Sequence, residues 1–465
     1  MRRSRPNLPT CAFGLTAADE GGFAIHSELS GESMTKSFTS SAISKISGEF
    51  APPGDKSISH RAIMLSSMAT GVSQFTNFLE ADDCLRTMEA FREMGVLIER
   101  RKNGALAVHG VGLKGFQEPK KELSLGNSGT TMRLLLGILA HQPFEVKLTG
   151  DDSLVKRPMR RVTVPLRKMG AKITGDADAN FAPLTIRGGS LVGIHHVNDP
   201  ASAQVKSAIL LAGLAARGTT IVQEAILSRD HTERMLQMIG APIERKAHVV
   251  QVSTAKRLNA IQYDIPGDIS SAAFMIVAAA ILPGSDLTVQ NVGLNPTRIG
   301  ILEVLHSMGA RISWKVKSSQ DGEPAGEIHV RGSELKSITI KKQMIPKLID
   351  ELPVLMIACA AAEGKSVISG ARELRAKETD RIKSMVQGLN AIGGHAEERE
   401  DGCVINGLGK NHFTGGNISS FGDHRTAMSF IVAGLKSNDP VVVEDIDCID
   451  TSYPSFFKDL KKLSV

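Results

Sequence analysis

The sequence predicts an α/β protein made of two similar halves, each built from three copies of one repeating unit. A helix-like stretch that ends in glycine and runs into a short β-rich segment occurs five times, at intervals of 69 to 85 residues. A longer segment that begins at Pro53 is matched by one that begins at Pro266. The chain has 465 residues, which is enough for two substantial apolar cores.

Glycine marks the end of the helix in each repeated unit. The five glycines are Gly95, Gly170, Gly240, Gly309 and Gly394. Glycine suits a left-handed helix cap because it has no Cβ, and the apolar residues that follow it suit a strand. Between these copies lie helices of small residues followed by β-rich runs such as TTIVQEA and DLTVQN. Each unit therefore reads helix, strand, helix, strand, and the C-terminal TSYPSFFKDLKKL predicts a sixth unit whose last strand is missing or short.

Two Pro-Gly-Asp turns mark the junctions between the halves. PGDKSISHRAIMLSSMATG, from Pro53, and PGDISSAAFMIVAAAILPG, from Pro266, keep their Pro-Gly-Asp and closing glycine at matching offsets. Paired halves of this kind commonly bind a ligand in the cleft between them. Residues 1–45 are rich in Ser, Thr, Gly and Ala without a sustained period, so they are expected to form a loose N-terminal extension.

Composition narrows the class of partner. A net charge of +6 allows a nucleic acid, a membrane surface or a small polyanionic substrate. Lys and Arg are dispersed, and one Trp and two Tyr offer few platforms for stacking bases, so a small anionic ligand is favoured. The five cysteines lack metal-ligand spacing, which predicts reduced thiols and no metal site. Without an apolar run of membrane-spanning length or a signal core, the expected location is the cytoplasm, with no membrane partner.

The first helix opening carries charges that its counterpart lacks. Lys56 and Arg61 in GDKSISHR correspond to Ile269 and Phe274 in the second half. A Gly-Asp turn that opens a helix presents free backbone N–H groups and the positive end of the helix dipole. The two added cations therefore predict a phosphate site.

A second helix opening, GNSGTTMR, contains Gly129, which would let a ligand lie against the backbone. A glycine-rich turn with Ser and Thr capping an ordinary core helix explains the same residues. By itself this motif leaves both interpretations open.

Three arginines near helix starts are candidates for gripping carboxylate or phosphate. Arg157 and Arg381 each stand thirteen residues before a repeat glycine, Gly170 and Gly394, so they are expected to face each other across the cleft. Arg425 opens another helix in GDHRTAMSF. The alternative for Arg425 is a surface salt bridge.

Three carboxylates lie near these cations in the sequence: Asp350, Glu378 and Asp380. An acid just ahead of an apolar helix commonly acts as a cap or as a partner of the helix dipole. Beside a basic cleft, however, the same acid is a candidate general base.

Taken together, the motifs GDKSISHR, GNSGTTMR, KRPM, SAQVK, KETDR and DHR resemble the motif set of the 5-enolpyruvylshikimate-3-phosphate synthase family, in the family's order. The resemblance runs from about residue 45 to the end. GDKS, SAQVK, NPTR and RDHTE together are similar to the second sequence class of that family.

The resemblance implies the enolpyruvyl transferase fold, an inside-out α/β barrel with two domains, each of three βαβαββ-type units about a pseudo-threefold axis. The chain would cross between the domains twice, and the strand before Pro53 would pack with the C-terminal half. The implied domains are residues 46–53 plus 266–465 and residues 54–265.

The resemblance also implies an activity. The family transfers the enolpyruvyl group of phosphoenolpyruvate to the 5-hydroxyl of shikimate 3-phosphate and releases phosphate through a tetrahedral intermediate, on the route to chorismate and the aromatic amino acids. No metal or organic cofactor and no nucleic acid is implied, and we expect a monomer. A basic cleft that closes over two polyanions would offset their repulsion and exclude water.

Roles carried over by matching motifs fall into three groups. Asp350 would take the proton from the attacking hydroxyl, and Lys56 and Glu378 would handle protonation of the methylene carbon. The residues expected to hold shikimate 3-phosphate are Lys56, Ser57, Arg61, Ser202, Ala203, Gln204, Asp350 and Lys377. The residues expected to hold phosphoenolpyruvate are Lys56, Gly129, Arg157, Gln204, Arg381 and Arg425.

One position departs from the better-known class of the family. Thr451 stands where that class has a lysine in its C-terminal Lys-Thr-Phe-Pro segment, so one cationic contact to phosphoenolpyruvate is missing. Arg229, in SRDHTE, is our candidate for extra positive charge on the shikimate 3-phosphate side. Tolerant members of the second class often carry alanine where this chain has Gly129, so we expect this chain to bind the inhibitor glyphosate better than its Gly129→Ala variant.

Two alternatives remain at this point. The related enolpyruvyl transferase that acts on UDP-N-acetylglucosamine has Lys-Asn in place of Lys56-Ser57 and usually a cysteine in the loop before Arg157, where this chain reads TGDDSLVK. A non-enzymatic phosphate- or nucleic-acid-binding protein would instead show binding that falls steeply with salt and does not need Asp350.

Overall fold

The computed structural model describes residues 23–30, 33–318 and 322–465. The strands of these residues are β1 (Ala24–Ser30), β2 (Ser33–Ser40), β3 (Ser47–Phe50), β4 (Thr70–Thr76), β5 (Leu97–Arg100), β6 (Leu106–Val111), β7 (Leu123–Ser124), β8 (Glu145–Thr149), β9 (Lys172–Gly175), β10 (Phe181–Arg187), β11 (His195–Val197), β12 (Thr220–Gln223), β13 (Ile243–Lys246), β14 (Val249–Val252), β15 (Gln262–Asp264), β16 (Asp286–Gly293), β17 (Arg311–Ser318), β18 (Ala325–Arg331), β19 (Thr339–Ile340), β20 (Glu363–Ile368), β21 (His395–Arg399), β22 (Gly402–Leu408), β23 (Gly416–Ser419) and β24 (Val441–Glu444).

The helices of the same residues are α1 (Lys56–Met68), α2 (Asp82–Glu93), α3 (Gly129–Leu139), α4 (Arg160–Met169), α5 (Asp176–Ala179), α6 (Ala203–Gly213), α7 (His231–Met238), α8 (Ile269–Ile281), α9 (Gly300–Ser307), α10 (Leu352–Ala361), α11 (Arg381–Ala391), α12 (His424–Gly434) and α13 (Phe456–Leu463). The short α5 contains residues with positive φ and is a left-handed turn rather than a regular helix.

The described strands form six four-stranded sheets that share one pattern. Each sheet begins with a parallel pair and continues with two antiparallel pairs. The strand orders are β15-β4-β6-β5, β7-β8-β10-β9, β11-β12-β14-β13, β3-β16-β18-β17, β19-β20-β22-β21 and β23-β24-β2-β1. Six equivalent sheets agree with the predicted six units.

The helices of small and apolar residues lie inside the sheets. α8, α10 and α12 are buried along their whole length, and α1, α3 and α6 nearly so. A helix that is apolar on all sides must be surrounded by other elements, which explains why the sheets lie outside. One apolar core draws on residues 58–265 and a second on residues 38–50 and 269–463. This is the predicted arrangement of helices inside and sheets outside.

The N-terminal segment differs from the expectation. Residues 1–45 were expected to be a loose extension, yet β2 pairs antiparallel with β24, and β1 pairs with β2. Phe38 and Ser40 are buried. In each of the other five sheets, the last two strands come from the same stretch of sequence as the strand they pair with. In the sixth sheet, β2 and β1 take that place, so the N-terminal segment completes the sixth unit. Residues 1–22 lie outside the described part of the chain.

Four of the five repeat glycines cap their helices as predicted. Gly95, Gly170, Gly240 and Gly309 have φ values of 87°, 118°, 77° and 89°, in the left-handed region. In the fifth copy the left-handed residue is Gly393, with φ of 78°, and not Gly394 as predicted. The pair of adjacent glycines made the two positions indistinguishable by sequence.

The two Pro-Gly-Asp turns lie side by side. Asp55 N–H donates to Pro266 O at 2.9 Å, and Asp268 N–H donates to Pro53 O at 2.8 Å. A Cβ on Gly54 would lie 1.8 Å from the carbonyl oxygen of Asn77, so only glycine fits there. The strand that precedes Pro53 is β3, and it pairs in parallel with β16, as the resemblance implies.

Within the described residues, no helix is both long and apolar enough to cross a membrane. The same part of the chain contains no cluster of His, Cys, Asp and Glu side chains arranged to hold a metal ion.

Candidate active site

The N-terminal ends of the six inner helices meet around a cavity of about 90 Å³. Lys56, Gly129 and Gln204 come from the starts of α1, α3 and α6. The other half contributes Ser270 and Arg425 from the starts of α8 and α12, with Asp350 just ahead of α10. Six positive dipole ends pointing at one space favour an anionic ligand.

Side-chain caps fix most of these helix starts. The caps that accept a backbone N–H are Asp55 for α1, Ser128 for α3, Ser202 for α6, Asp268 for α8 and Asp423 for α12. Each cap satisfies one or two of the four free N–H groups, so the others stay available to a ligand.

The described cavity lining carries more positive than negative side chains. Its cations are Lys56, Arg133, Arg157, Arg229, Arg298, Lys377, Arg381 and Arg425. Its acids are Asp83, Asp268, Asp350 and Glu378. An excess of four cations around one cavity favours a ligand with several negative charges.

Asp350 lies among these cations. Its carboxylate is 2.5 Å from Arg229 Nη1, and 3.6 Å from both Lys377 Nζ and Arg381 Nη1. Burial alone would raise the pKa of Asp350, but the charges of Arg229, Lys377, Arg425 and Arg381 hold it well below its usual range. The carboxylate is therefore ionised and able to accept a proton.

Glu378 lies between Arg157 and Arg381, the two arginines predicted to have matching positions in the repeats. Arg381 Nη2 lies 2.5 Å from Glu378 Oε2, and Arg157 Nη1 lies 3.4 Å from Oε1. Burial opposes the ionisation of Glu378, yet Arg381 and Arg157 lower its pKa well below the usual range. Because the cap is Gly393, the two arginines differ by one position in register, but both guanidinium groups reach the carboxylate of Glu378.

Asp380 has a structural role. It caps α11 by accepting the Lys383 N–H at 3.1 Å, and it pairs with Arg375 at 2.7 Å. It is absent from the described lining of the cavity. The capping alternative is therefore correct for Asp380.

A second, larger cavity of about 760 Å³ adjoins the first and shares four lining residues with it: Gln204, Arg229, Asp350 and Lys377. Ser202 and Ala203 line this larger cavity and not the smaller one. Ser57 lines the smaller cavity.

Arg61 lines neither of these cavities. It lies within α1 and its side chain turns toward α7. Its Nη1 donates to Ser57 O at 2.9 Å and its Nε donates to Thr232 Oγ1 at 2.7 Å. Burial lowers its pKa to about 10. Arg61 therefore supports the backbone at Ser57 and is not directly exposed to a ligand in this arrangement.

Lys56 has a partner that sequence reasoning missed. Its Nζ lies 3.1 Å from Asp83 Oδ2, and burial raises the pKa of Asp83. Arg133 was also missed, although it ends the GNSGTTMR motif, and it donates to Gln204 Oε1 at 2.8 Å. The other lining residues not singled out are Thr130, Asp268, Ser270, Arg298, Ala376 and His424.

Thr451 contacts the site indirectly. Its hydroxyl donates to Cys448 O at 2.6 Å and lies 3.4 Å from His424 Nδ1. Burial and the charges of Lys56 and Arg425 lower the pKa of His424 well below its usual value. The hydroxyl of Thr451 therefore lies beside a neutral imidazole that lines the cavity.

Comparisons with known proteins agree with this geometry. Residues 40–460 match the family described as EPSP synthase (3-phosphoshikimate 1-carboxyvinyltransferase). The chain is 49% identical to the 3-phosphoshikimate 1-carboxyvinyltransferase of Desulforamulus reducens, covering 91% of this chain and 98% of that protein. It is 50% identical to the enzyme of the same name from Methylococcus capsulatus, covering 90% and 95%.

Solved structures give the same result. EPSP synthase from Acinetobacter baumannii superposes with a TM-score of 0.81 at 45% identity, covering 92% of this chain and 98% of that one. The sequence match and the structural match both span nearly the whole chain. This protein therefore belongs to the EPSP synthase family of transferases.

Proposed function

We propose that this chain transfers the enolpyruvyl group of phosphoenolpyruvate to the 5-hydroxyl of shikimate 3-phosphate, with release of phosphate, in the space where the six inner helices begin. The observation that carries the proposal is the ionised Asp350 held among Arg229, Lys377 and Arg381. A base surrounded by cations suits the deprotonation of a hydroxyl on a substrate that is itself an anion.

The two adjoining cavities suit the two substrates. We assign phosphoenolpyruvate to the smaller cavity, with Lys56, Arg157, Arg381, Arg425 and the backbone at Gly129 around it. Shikimate 3-phosphate would extend into the larger cavity, whose lining includes Ser202, Ala203, Gln204, Lys377 and Arg229. Asp350 and Gln204 line both, so the hydroxyl and the enol carbon would meet beside them.

Substrate binding tunes Asp350 toward basicity. Its pKa is held low by Arg229, Lys377, Arg425 and Arg381, which makes it a weak base. A phosphate or carboxylate bound to these cations offsets their charge, so the pKa of Asp350 rises as the complex forms. The residue is then better matched to accept the hydroxyl proton while the oxygen bonds to the enol carbon.

Glu378 and Lys56 are assigned to the methylene carbon. Addition needs one proton at that carbon, and loss of phosphate from the tetrahedral intermediate needs the same carbon to give a proton back. Glu378 is held ionised by Arg381 and Arg157, and phosphoenolpyruvate bound to the arginines raises its pKa so that it can carry this proton. The ammonium of Lys56 can donate to the carbon or to the departing phosphate.

The activity is tested by phosphate release from phosphoenolpyruvate with shikimate 3-phosphate, beside a parallel reaction that offers UDP-N-acetylglucosamine. We expect release only with shikimate 3-phosphate. Release with UDP-N-acetylglucosamine would favour the related transferase, and release with neither, together with salt-dependent retention on heparin, would favour the binding-protein alternative.

We further propose a monomeric, cytoplasmic enzyme that needs no metal or organic cofactor and binds no nucleic acid. The domain boundaries proposed are residues 266–465 with 46–53, and 54–265. The two apolar cores support the division at the Pro-Gly-Asp turns, and Phe38 adds β2 to the first of these domains. Sedimentation at working concentration tests the monomeric state, and activity after exhaustive chelation tests the independence of metal. A stable dimer or chelator-sensitive turnover would contradict them.

Replacing Arg229 by alanine is expected to weaken the binding of shikimate 3-phosphate about 10- to 100-fold, because hydrogen bonds to charged groups contribute about 1.5–3 kcal/mol. Calorimetry with shikimate 3-phosphate alone measures this. Arg187→Ala, an exposed arginine on β10 in the same half, is the control and should change the affinity less than about twofold. Unchanged affinity in Arg229→Ala would remove Arg229 from the substrate site.

Replacing Gly129 by alanine is expected to raise the inhibition constant of glyphosate about 5- to 100-fold. The added Cβ would lie 2.8 Å from Arg133 Nη1 and 3.3 Å from Arg157 Nη1. Both atoms end flexible side chains, so the guanidinium groups would move from their places in the cavity lining, and weakening one charge-assisted hydrogen bond to the inhibitor costs about 1.5–3 kcal/mol. Inhibition assays at fixed phosphoenolpyruvate measure the effect. An inhibition constant that does not rise would contradict it.

A further inference from the structure

Arg298 lies where the two Pro-Gly-Asp turns and the start of α10 come together. Its Nη1 is 3.2 Å from Asp55 Oδ2, and its Nη2 is 3.4 Å from Asp268 Oδ1 and 3.6 Å from Glu351 Oε1. The side chain is 2% exposed. One guanidinium group therefore joins three buried carboxylates that come from the starts of three inner helices.

Each of these carboxylates stands next to a proposed catalytic or lining residue. Asp55 precedes Lys56 and caps α1 through the Ile58 N–H at 2.9 Å. Asp268 caps α8 through the Ser270 N–H, also at 2.9 Å. Glu351 directly follows Asp350 in the chain. Movement of any of these carboxylates would move a helix start that lines the cavity.

The hydroxyl of Ser270 links Arg298 to Glu351. Arg298 Nη2 donates to Ser270 Oγ at 2.7 Å, and the same hydroxyl donates to Glu351 Oε1. Both terminal nitrogens of the guanidinium are thus engaged by protein groups. Arg298 lines the cavity, but its terminal nitrogens are directed to these protein groups, so we assign it an action through them.

Arg298 also contacts a histidine of the other half of the molecule. Arg298 Nη1 lies 3.2 Å from His231 Nε2, and His231 Nδ1 lies 2.6 Å from Glu323 Oε1. Because arginine only donates, the Nε2 atom must accept, so the ring carries its proton on Nδ1 and donates it to Glu323. Asn295 Nδ2 in turn bonds Glu323 Oε2 at 2.6 Å and Asp230 Oδ1 at 2.7 Å. This buried cluster joins residues 230–231 of one half to residues 295–323 of the other.

We propose that Arg298 is a positioning residue for enolpyruvyl transfer. It fixes the starts of α1, α8 and α10 relative to one another and thereby fixes the position of Lys56 relative to Asp350. The inference rests on the proposed function. The planar fork of arginine can hold several carboxylates at once in one geometry, which the single ammonium of a lysine cannot. A displacement of about 1 Å among reacting groups costs about 100-fold in rate even when its origin is remote.

The test compares Arg298→Lys with Arg298→Met in purified, folded protein. We expect kcat for phosphate release to fall about 100-fold in Arg298→Lys while the KM of each substrate stays within about threefold, and to fall further in Arg298→Met. The control is Arg331→Lys. Arg331 pairs with Asp286 at 3.2 Å and its side chain is 55% exposed, so kcat should change less than about twofold.

Two results would overturn the inference while the wild-type enzyme is active. One is a kcat for Arg298→Lys within threefold of the wild type. The other is a raised KM with kcat unchanged, which would make Arg298 a direct ligand. Wild-type protein without activity would instead overturn the proposed function.

A second variant keeps the inference testable should the Arg298 variants fail to fold. Asp55→Asn retains an oxygen that can cap α1 but loses the charge that pairs with Arg298. We expect its kcat to fall at least tenfold with both KM values within threefold. A kcat within threefold of the wild type in Asp55→Asn would also overturn the inference.

Discussion

Exchanging Asp350 for asparagine is expected to lower kcat for phosphate release about 100- to 10,000-fold, the range that general base catalysis supplies. The amide keeps the size of the side chain but cannot take a proton from the attacking hydroxyl. Removing a negative charge from among Arg229, Lys377 and Arg381 leaves more positive charge for anions. The KM of shikimate 3-phosphate should therefore stay the same or fall. Steady-state phosphate release at saturating substrates measures both parameters.

Asp380→Asn is the matched control for this experiment. Asp380 caps α11 and pairs with Arg375, and asparagine can still accept the Lys383 N–H. Its kcat should stay within about threefold of the wild type. If Asp350→Asn retains kcat within tenfold of the wild type, Asp350 is not the base and its role is confined to holding the surrounding cations.

Replacing Arg381 by methionine is expected to destabilise the fold by about 3–5 kcal/mol, the cost of leaving buried charges without their partner. Arg381 is 1% exposed, and its guanidinium lies 2.7 Å from Asp423, 2.5 Å from Glu378 and 3.6 Å from Asp350. At about 2–4 °C per kcal/mol for a domain of this size, the Tm should fall by roughly 6–20 °C. Phosphoenolpyruvate binding should weaken in parallel. Calorimetric unfolding and titration measure the two effects.

The pH dependence of this effect has a definite sign. In the wild type the pKa values of Asp350 and Glu378 lie well below their usual range, so their stabilising contribution is present above the unfolded pKa values and is lost as pH falls through the folded ones. Without Arg381 the folded pKa values rise. The stability difference should thus be largest near pH 7 and shrink below about pH 5.

Arg372→Met serves as the control for stability. Its side chain is 75% exposed and pairs with Glu400, so the free energy of unfolding should change by less than about 0.5 kcal/mol. A Tm for Arg381→Met within 2 °C of the wild type would mean that the surrounding carboxylates do not depend on this arginine.

The repeats made most of the fold predictable from the sequence. A glycine in the left-handed region and a Pro-Gly-Asp turn are local patterns, and they reappear in the structure as helix caps and as the paired junction between the halves. The N-terminal strands were not predictable in this way. β2 finds its partner in β24, about 400 residues later, and no local pattern encodes such a pairing.

The residues of the candidate site also fall into those that local motifs reveal and those that they do not. Residues that sit in a motif at a helix start, such as Lys56, Gly129 and Arg425, were predicted and line the cavity. Asp83 reaches it by packing between separate elements, so its sequence neighbours do not reveal it. Arg298 lies in the NPTR motif, but the motif alone did not indicate its contacts with Asp55 and Asp268. Arg61 shows the opposite case, since it lies in a motif but turns away from the cavity toward Thr232.

The completion of the last sheet by the N-terminus has a consequence for how the chain folds during synthesis. Residues 54–265 contain all the strands of three sheets, so this half has its partners as soon as it leaves the ribosome. β1, β2 and β3 are made first, yet one edge of β2 must wait for β24 and β3 must wait for β16. Until then their edges are unpaired and can pair with other chains. A nascent chain that stalls before residue 441 would therefore be prone to aggregate through its own first strands.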